Sequence, residues 1–363
     1  MTRRRRLPWR AGAAALTVVL AAAWVAAPLP AEPGVRFVRS QPVTTSKTAE
    51  KPAKPAKRTK YASPIRYAYA PSCDDPGACA HMILVGDGAE RGRLPYSFDE
   101  TMFALSRDGR RAAFLRDSDN TYVVADLRTG VVERLPVRQP RGTVTALFGA
   151  QPPLFSLDGR HVLVQPDRLT KDTDVVLETP VIVDVARGTA IRLPDRGQVA
   201  GWTSEGLVMK SGEPSRRSPG HLRSVRFAVY SPKGDLLRRY TMPGNVEWTI
   251  EPSPSGRLIA SRHRELTPGG VLQQGVALFD TETGEHVRTV TPRLATGWWL
   301  ASLLRWEDED TLTVRADGPL GETSYLVLDL RTAAIRPIDV TGEVADLMLR
   351  PAELSVVLGR VRQ

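Results

Sequence analysis

The sequence has two cysteines, Cys73 and Cys79, and five histidines: His81, His161, His221, His263 and His286. With no second Cys pair, a structural zinc site is not expected, and the spacing of Cys73 and Cys79 is not the C-x-x-C of a redox pair. The histidines show no ligand spacing, and H-E-x-x-H, Ser-x-x-Lys and a P-loop are all missing. So is the Gly-x-Ser-x-Gly elbow that presents the nucleophile of an α/β-hydrolase. No local pattern therefore calls for a catalytic residue, a cofactor or a metal. Aromatic residues make up 6% of the chain, and their densest patch is Trp298, Trp299 and Trp306. Uninterrupted helical stretches are scarce as well, because Gly and Pro number 29 each.

Positive charge is plentiful but confined. The chain carries a net +10, yet residues 1–60 hold thirteen Lys and Arg against two Glu, which leaves residues 61–363 at −1. A nucleic-acid-binding domain would carry its own basic face, so nucleic acid is not expected as a partner. Residues 1–31 pair a basic cluster, Arg3 to Arg6 with Arg10, with an uncharged apolar run from Ala11 to Ala27. Two readings stand: a cleaved signal peptide, or an uncleaved signal-anchor helix with the arginines on the cytoplasmic side. No Cys follows the run, so lipid attachment of the bacterial lipoprotein type is not expected. Residues 32–72 include Lys51-Pro52-Ala53-Lys54-Pro55-Ala56-Lys57, which predicts a disordered, extended linker that holds the folded part off a membrane or through a wall layer. Its charge either touches anionic lipid or wall polymer, or simply keeps the linker solvated. In an exported chain, Cys73 and Cys79 around the Pro76-Gly77 turn are expected to form a disulfide where the linker meets the folded domain, residues 73–363.

That domain is repetitive. Ser106-Arg107-Asp108-Gly109 stands between apolar runs, and Asp-Gly in that setting is a strong hairpin signal. Related turns return about every fifty residues: Ser156–Gly159, Thr203–Gly206, Ser253–Gly256, and in degenerate form Glu307–Asp310 and Pro351–Glu353 ahead of Leu354 to Leu358. A second signature, an apolar run before a polar turn, occurs at Asp126–Gly130, Asp184–Gly188, Ser231–Gly234, Asp280–Gly284 and Asp329–Ala333. One further copy, Met82 to Val85 with Gly86-Asp87-Gly88, lies upstream of every first signature. The chain thus starts with an orphan second half and finishes with an orphan first half. A four-stranded unit cannot bury both faces alone, so units stack around an axis, and joining the two orphans closes the ring.

On these motifs the chain resembles the TolB-like, WD40-like β-propeller repeats, whose unit pairs a Ser-Pro-Asp-Gly turn with an Asp-x-x-x-Gly turn. The resemblance covers about residues 80 to 363 and implies an all-β, six-bladed propeller closed by pairing of N- and C-terminal strands. It is specific for fold and implies no activity. TolB proper carries an extra α/β domain ahead of the propeller, and no matching segment is seen here.

Lesser motifs are read as structure. Gly86-Asp87-Gly88 is a blade turn rather than a dinucleotide loop, Asp117 to Asn120 a polar inter-strand loop rather than a calcium site, and Glu307 to Asp310 a solvated acidic tip. Trp298, Trp299 and Trp306 are either packing between blades or a binding surface. The expectation is an exported monomer at the cell envelope that binds or scaffolds an envelope protein or wall polymer and meets the membrane only through its N-terminal segment. The alternatives are a metal-dependent hydrolase or lyase centred on the channel, or a carbohydrate binder. Three or more convergent Asp, Glu, Asn or His at the inner strand ends would favour the enzyme. A mixed apolar and Arg-lined channel would favour binding.

Overall fold

The computed structural model describes residues 60–69, 83–86, 91–94, 98–116, 118–140, 151–169, 175–214, 222–243, 250–266, 272–338 and 356–359. The signal or anchor segment 1–31, residues 32–59 and 70–72 of the linker, and Cys73 and Cys79 with their expected disulfide lie outside the described residues. The signal-anchor helix therefore gains no support, and every described element is a strand.

The described strands form six antiparallel four-stranded sheets and one two-stranded ribbon, Asp167–Leu169 with Val175–Leu177. The second sheet runs Phe98–Leu105, Arg111–Arg116, Thr121–Asp126, Val131–Arg138, in chain order from one edge to the other. The third sheet starts with Gln151–Phe155 and ends with Thr189–Arg192. The fourth runs from Gln198–Trp202 to Leu236–Pro243, the fifth from Ile250–Pro252 to His286–Val290, and the sixth from Trp299–Trp306 to Ile335–Pro337. Middle strands are continuous apolar runs because another sheet covers each face, as in Arg111–Arg116 with four buried residues between its ends. The last strand of a sheet meets water: Thr189–Arg192 is exposed throughout.

The turns form as the sequence predicts, and their side chains show why. Ser106 Oγ donates to Asp108 Oδ1 at 2.6 Å and accepts from Arg111 N at 2.9 Å, and Ser156 repeats both bonds with Asp158 and His161 at 2.7 and 2.9 Å. In the second type of turn the aspartate caps the loop: Asp280 Oδ1 accepts the amides of Glu282 and Thr283, both at 2.8 Å. The Thr283 amide, with that of Glu282, holds the Asp280 carboxyl below the usual range, against a smaller opposing effect of burial.

Six apolar clusters lie between consecutive sheets. One joins the first and second sheets around Ile65, Phe103 and Phe114. The last joins the sixth back to the first through Tyr67, Tyr69, Leu358 and Tyr325. Each fully buried Leu, Val or Phe contributes about 1.5–3 kcal/mol, so these clusters outweigh any single hydrogen bond between sheets.

The first sheet corrects the sequence reading. Its order is Val356–Leu358, Ile65–Tyr69, Ile83–Gly86, Arg91–Arg93. Ile65–Tyr69 falls inside the segment 32–72 read as linker, yet it is a strand with four of its five residues buried. The C-terminal side supplies a single edge strand, where the sequence reading joined an orphan half unit from each end. The split is therefore one strand from the C-terminal side and three from the N-terminal side. Ala68 lies opposite Val357 in this antiparallel pairing.

Candidate functional site

The first strands of five of the six sheets converge on a cavity of about 330 Å³. Its wall is set by one column of the repeat, the second residue before each first-type turn: Ala104, Leu154, Gly201, Glu251 and Arg305 all line it. Gly201 is required there. A Cβ at this position would stand 2.9 Å from Pro252 Cγ and Cδ on the next first strand, and its φ is +156°.

Neighbouring first strands are tied side chain to main chain. Trp202 Nε1 donates to Leu154 O at 3.1 Å, and Trp306 Nε1 donates to Glu251 O at 3.0 Å, each reaching back to the preceding sheet. Gln151 clamps the backbone of Val199, accepting from its N at 3.2 Å and donating to its O at 3.4 Å. Gln274 likewise accepts from Leu300 N at 2.8 Å and donates to Trp298 O at 3.0 Å. With Trp202 at 5% exposure and Trp306 at 4%, these indoles are packing and orienting groups at the cavity wall. Trp298 is half-buried against the cluster between the fifth and sixth sheets, and Trp299, also half-buried, lies opposite Asp317 in the sixth sheet. Of the three sequence candidates, Trp306 alone lines the cavity.

Among the described residues, four charged side chains line it: Arg107, Lys210, Glu251 and Arg305. Arg305 is committed to structure. Its guanidinium bonds Glu307 at 2.8 and 3.3 Å, donates to Leu358 O at 2.9 Å, and reaches Gly359 O as well. Glu307, read from sequence as part of a solvated tip, is instead a 6%-exposed carboxylate that also accepts from Thr313 Oγ1 at 2.7 Å. Lys210 and Glu251 act on one another. Burial pushes the Glu251 carboxyl up to about 8 against the pull of Lys210, and burial lowers the Lys210 ammonium against the pull of Glu251. Arg107 projects from the Ser106–Gly109 turn. Burial lowers its pKa, opposed by Glu307, and it makes no hydrogen bond or ion pair with any described residue.

Among the described residues no group of three His, Cys, Asp or Glu stands together. His161 lies 4.0 Å from Asp184 and stacks 6.3 Å from Trp202, His286 bonds Thr289 at 2.9 Å, and His81 and His221 lie outside the described residues. The Asp117 to Asn120 loop carries an ion pair, Asp119 to Arg116 at 2.5 Å. Sequence reading missed Arg107, Lys210, Glu251 and Arg305. Aligning the repeats on their first turn would have shown Glu251 and Arg305 as charges in an otherwise uncharged column.

No family model matches the sequence, and no curated protein matches it. Among solved structures similar to this chain is TolB from Acinetobacter baumannii, at 17% identity and a TM-score of 0.46, covering 74% of this chain and 62% of that one. The β-propeller domain of the Trilobed protease from Pyrococcus furiosus aligns at 12% identity and a TM-score of 0.46, covering 71% of this chain and 76% of that one. An acylaminoacyl peptidase from Pyrococcus horikoshii aligns at 13% identity and a TM-score of 0.46, over 71% of this chain and 41% of that one. The chain thus spans less than two thirds of TolB and less than half of the peptidase. These likenesses carry no residue role and no activity across. In fold, the chain is similar to TolB-like β-propellers.

Proposed function

We propose that this protein is an exported, non-enzymatic binding or scaffold protein of the cell envelope. It is built as a six-bladed β-propeller whose first blade is shared between the two ends of the folded part. The basic cluster and apolar run at residues 3–27 support export, as signal peptide or membrane anchor. The Lys/Pro-rich linker supports a spacer role, and the Cys73–Cys79 pair fits a disulfide in an oxidising compartment. Six sheets with apolar contacts returning from the sixth to the first support the closed ring.

The observation that carries the binding reading is the composition of the axial cavity. It is a mostly apolar wall with two arginines, one lysine and a single carboxylate, Glu251. Concave, apolar sites with a few placed polar groups are ligand sites. A channel-centred metal hydrolase would need several convergent donors, and among the described residues the lining supplies Glu251 alone from the carboxylates and histidines.

The test is cross-linking of the full chain in its native envelope, compared with Leu157→Trp. Leu157 occupies the same turn position as Arg107 and lines the cavity, so a larger side chain there fills the mouth. A partner captured by the wild type and lost from a Leu157→Trp protein of unchanged thermal midpoint supports the reading. An identical captured set from both proteins contradicts it.

A further inference from the structure

The charged side chains of the cavity are not equally engaged. Arg305 is matched by Glu307 and by the carbonyls of the C-terminal strand. Lys210 and Glu251 act on one another: against burial, the lysine pulls the Glu251 carboxyl down and the carboxylate pulls the Lys210 ammonium up. What is left is Arg107, a half-buried guanidinium with no hydrogen bond or ion pair to any described residue. Its electrostatic neighbours, Glu307 and Asp308 against Arg305, are on the turn of the sixth sheet, so Arg107 faces across the mouth rather than along its own sheet.

We propose that the axial cavity binds a monocarboxylate carrying a compact apolar body, with Arg107 holding the carboxylate and the walls around Leu154, Phe155 and Ile250 holding the body. This deepens the binding reading above and rests on it. A planar guanidinium fork matches two carboxylate oxygens, and a desolvated guanidinium gains most from such a partner. A carboxylate brings one negative charge to this single guanidinium, whereas a phosphate monoester would bring about two. A volume of about 330 Å³ is at the small end of ligand pockets, enough for one amino-acid-sized acid or the last residue of a chain.

The experiment is titration of the full-length protein, read by tryptophan fluorescence and calorimetry, with four probes. These are N-acetyl-leucine, its amide, a short peptide ending in leucine with a free carboxylate, and the same peptide amidated. Saturable binding of the acids but not the amides supports the proposal when it is weakened tenfold or more by Arg107→Gln, partly restored in Arg107→Lys, and abolished by Leu157→Trp. Tighter binding of the acid peptide than of N-acetyl-leucine assigns the carboxylate to a chain terminus, and the reverse order assigns it to a free small acid. Equal binding of acid and amide, lost in Leu157→Trp, overturns the carboxylate assignment and leaves the cavity as the binding site. Binding unaffected by Arg107→Gln and Leu157→Trp, or no binding of any probe, overturns the proposal. Arg107 makes no hydrogen bond or ion pair with any described residue, so Arg107→Gln should keep the wild-type melting curve, which separates a lost contact from a lost fold.

Discussion

The second sheet and the first are built from the same unit by opposite means. The second is contiguous, with strands of 6 to 8 residues joined by three short connections. The first is assembled from ends far apart in sequence, with strands of 3 to 5 residues, and its opening strand arrives from the C-terminal side. Local turn chemistry suffices for the second sheet. The first needs non-local help, and Arg305 of the sixth sheet supplies it by holding Leu358 and Gly359 through their carbonyls. Closing a long loop costs entropy that grows slowly with length, so a few well-placed contacts are enough to hold such a strand.

This contrast predicts unequal costs for similar changes. Arg305→Ala should destabilise by about 3–5 kcal/mol, because it strands the buried Glu307 carboxylate as well as freeing the C-terminal strand. Arg111→Ala removes a comparable tie, from Nη1 to Gly159 O at 2.6 Å between the second and third sheets, but strands no charge there. It should cost about 1–2 kcal/mol. Urea denaturation of the two variants makes the comparison, and equal losses would mean that the closing contact has no special weight.

Two glycines sharpen the same contrast. Gly109 and Gly188 have nearly the same φ, +67° and +64°, so an alanine pays a similar backbone cost of about 1–2 kcal/mol at each. A Cβ on Gly109 would also fall 2.1 Å from Ile65 O, at the junction of the second sheet with the composite first one, whereas Gly188 has nothing within 4 Å. Gly109→Ala should therefore cost at least about 3 kcal/mol, and Gly188→Ala close to the backbone cost alone. Similar midpoints for both would show that the Gly109–Ile65 approach is not tight in solution.

The Lys210 and Glu251 pair should respond to pH. With its carboxyl raised to about 8, Glu251 binds its proton more tightly in the folded chain than in the unfolded one. The stability this gives is full below the unfolded value near 4.5 and is lost as pH rises through about 8. Relative to Glu251→Gln, the wild type should lose about 3 kcal/mol between pH 5 and pH 8, measured by chemical denaturation at each pH. A constant difference across that range would remove Glu251 from the desolvated wall. The smallest expected effect is a gain. Ala333 stands at φ +58°, where other copies of the turn have glycine, so Ala333→Gly should stabilise by about 0.5–1 kcal/mol. A loss on that change would contradict the left-handed turn there.

How much of this was legible in the sequence follows from how local each signal is. The turns at Ser106–Gly109 and Asp126–Gly130 were readable because the residues that define them also form their hydrogen bonds. The strand Ile65–Tyr69 was not, because it borders a Lys/Pro-rich segment and its partner, Val356–Leu358, is contributed from the other end of the chain. The cavity residues were hidden for a related reason. Lys210 and Glu251 come from different sheets and acquire meaning only once the first strands converge. Trp306 was visible as an aromatic, but its role as a tie to Glu251 O needed the neighbouring sheet in place.

The measurement that bears most directly on the account is a cysteine cross-link across the composite sheet. Cysteines at positions 68 and 357, facing one another in the antiparallel register, are introduced into a full-length chain whose Cys73 and Cys79 are replaced by serine. Mild oxidation should give an intramolecular disulfide in the monomer, while the pair slipped by two residues, 68 with 359, should not cross-link. Efficient cross-linking of the slipped pair, or none at 68 and 357 in a protein that still melts cooperatively, would contradict closure by the C-terminal strand.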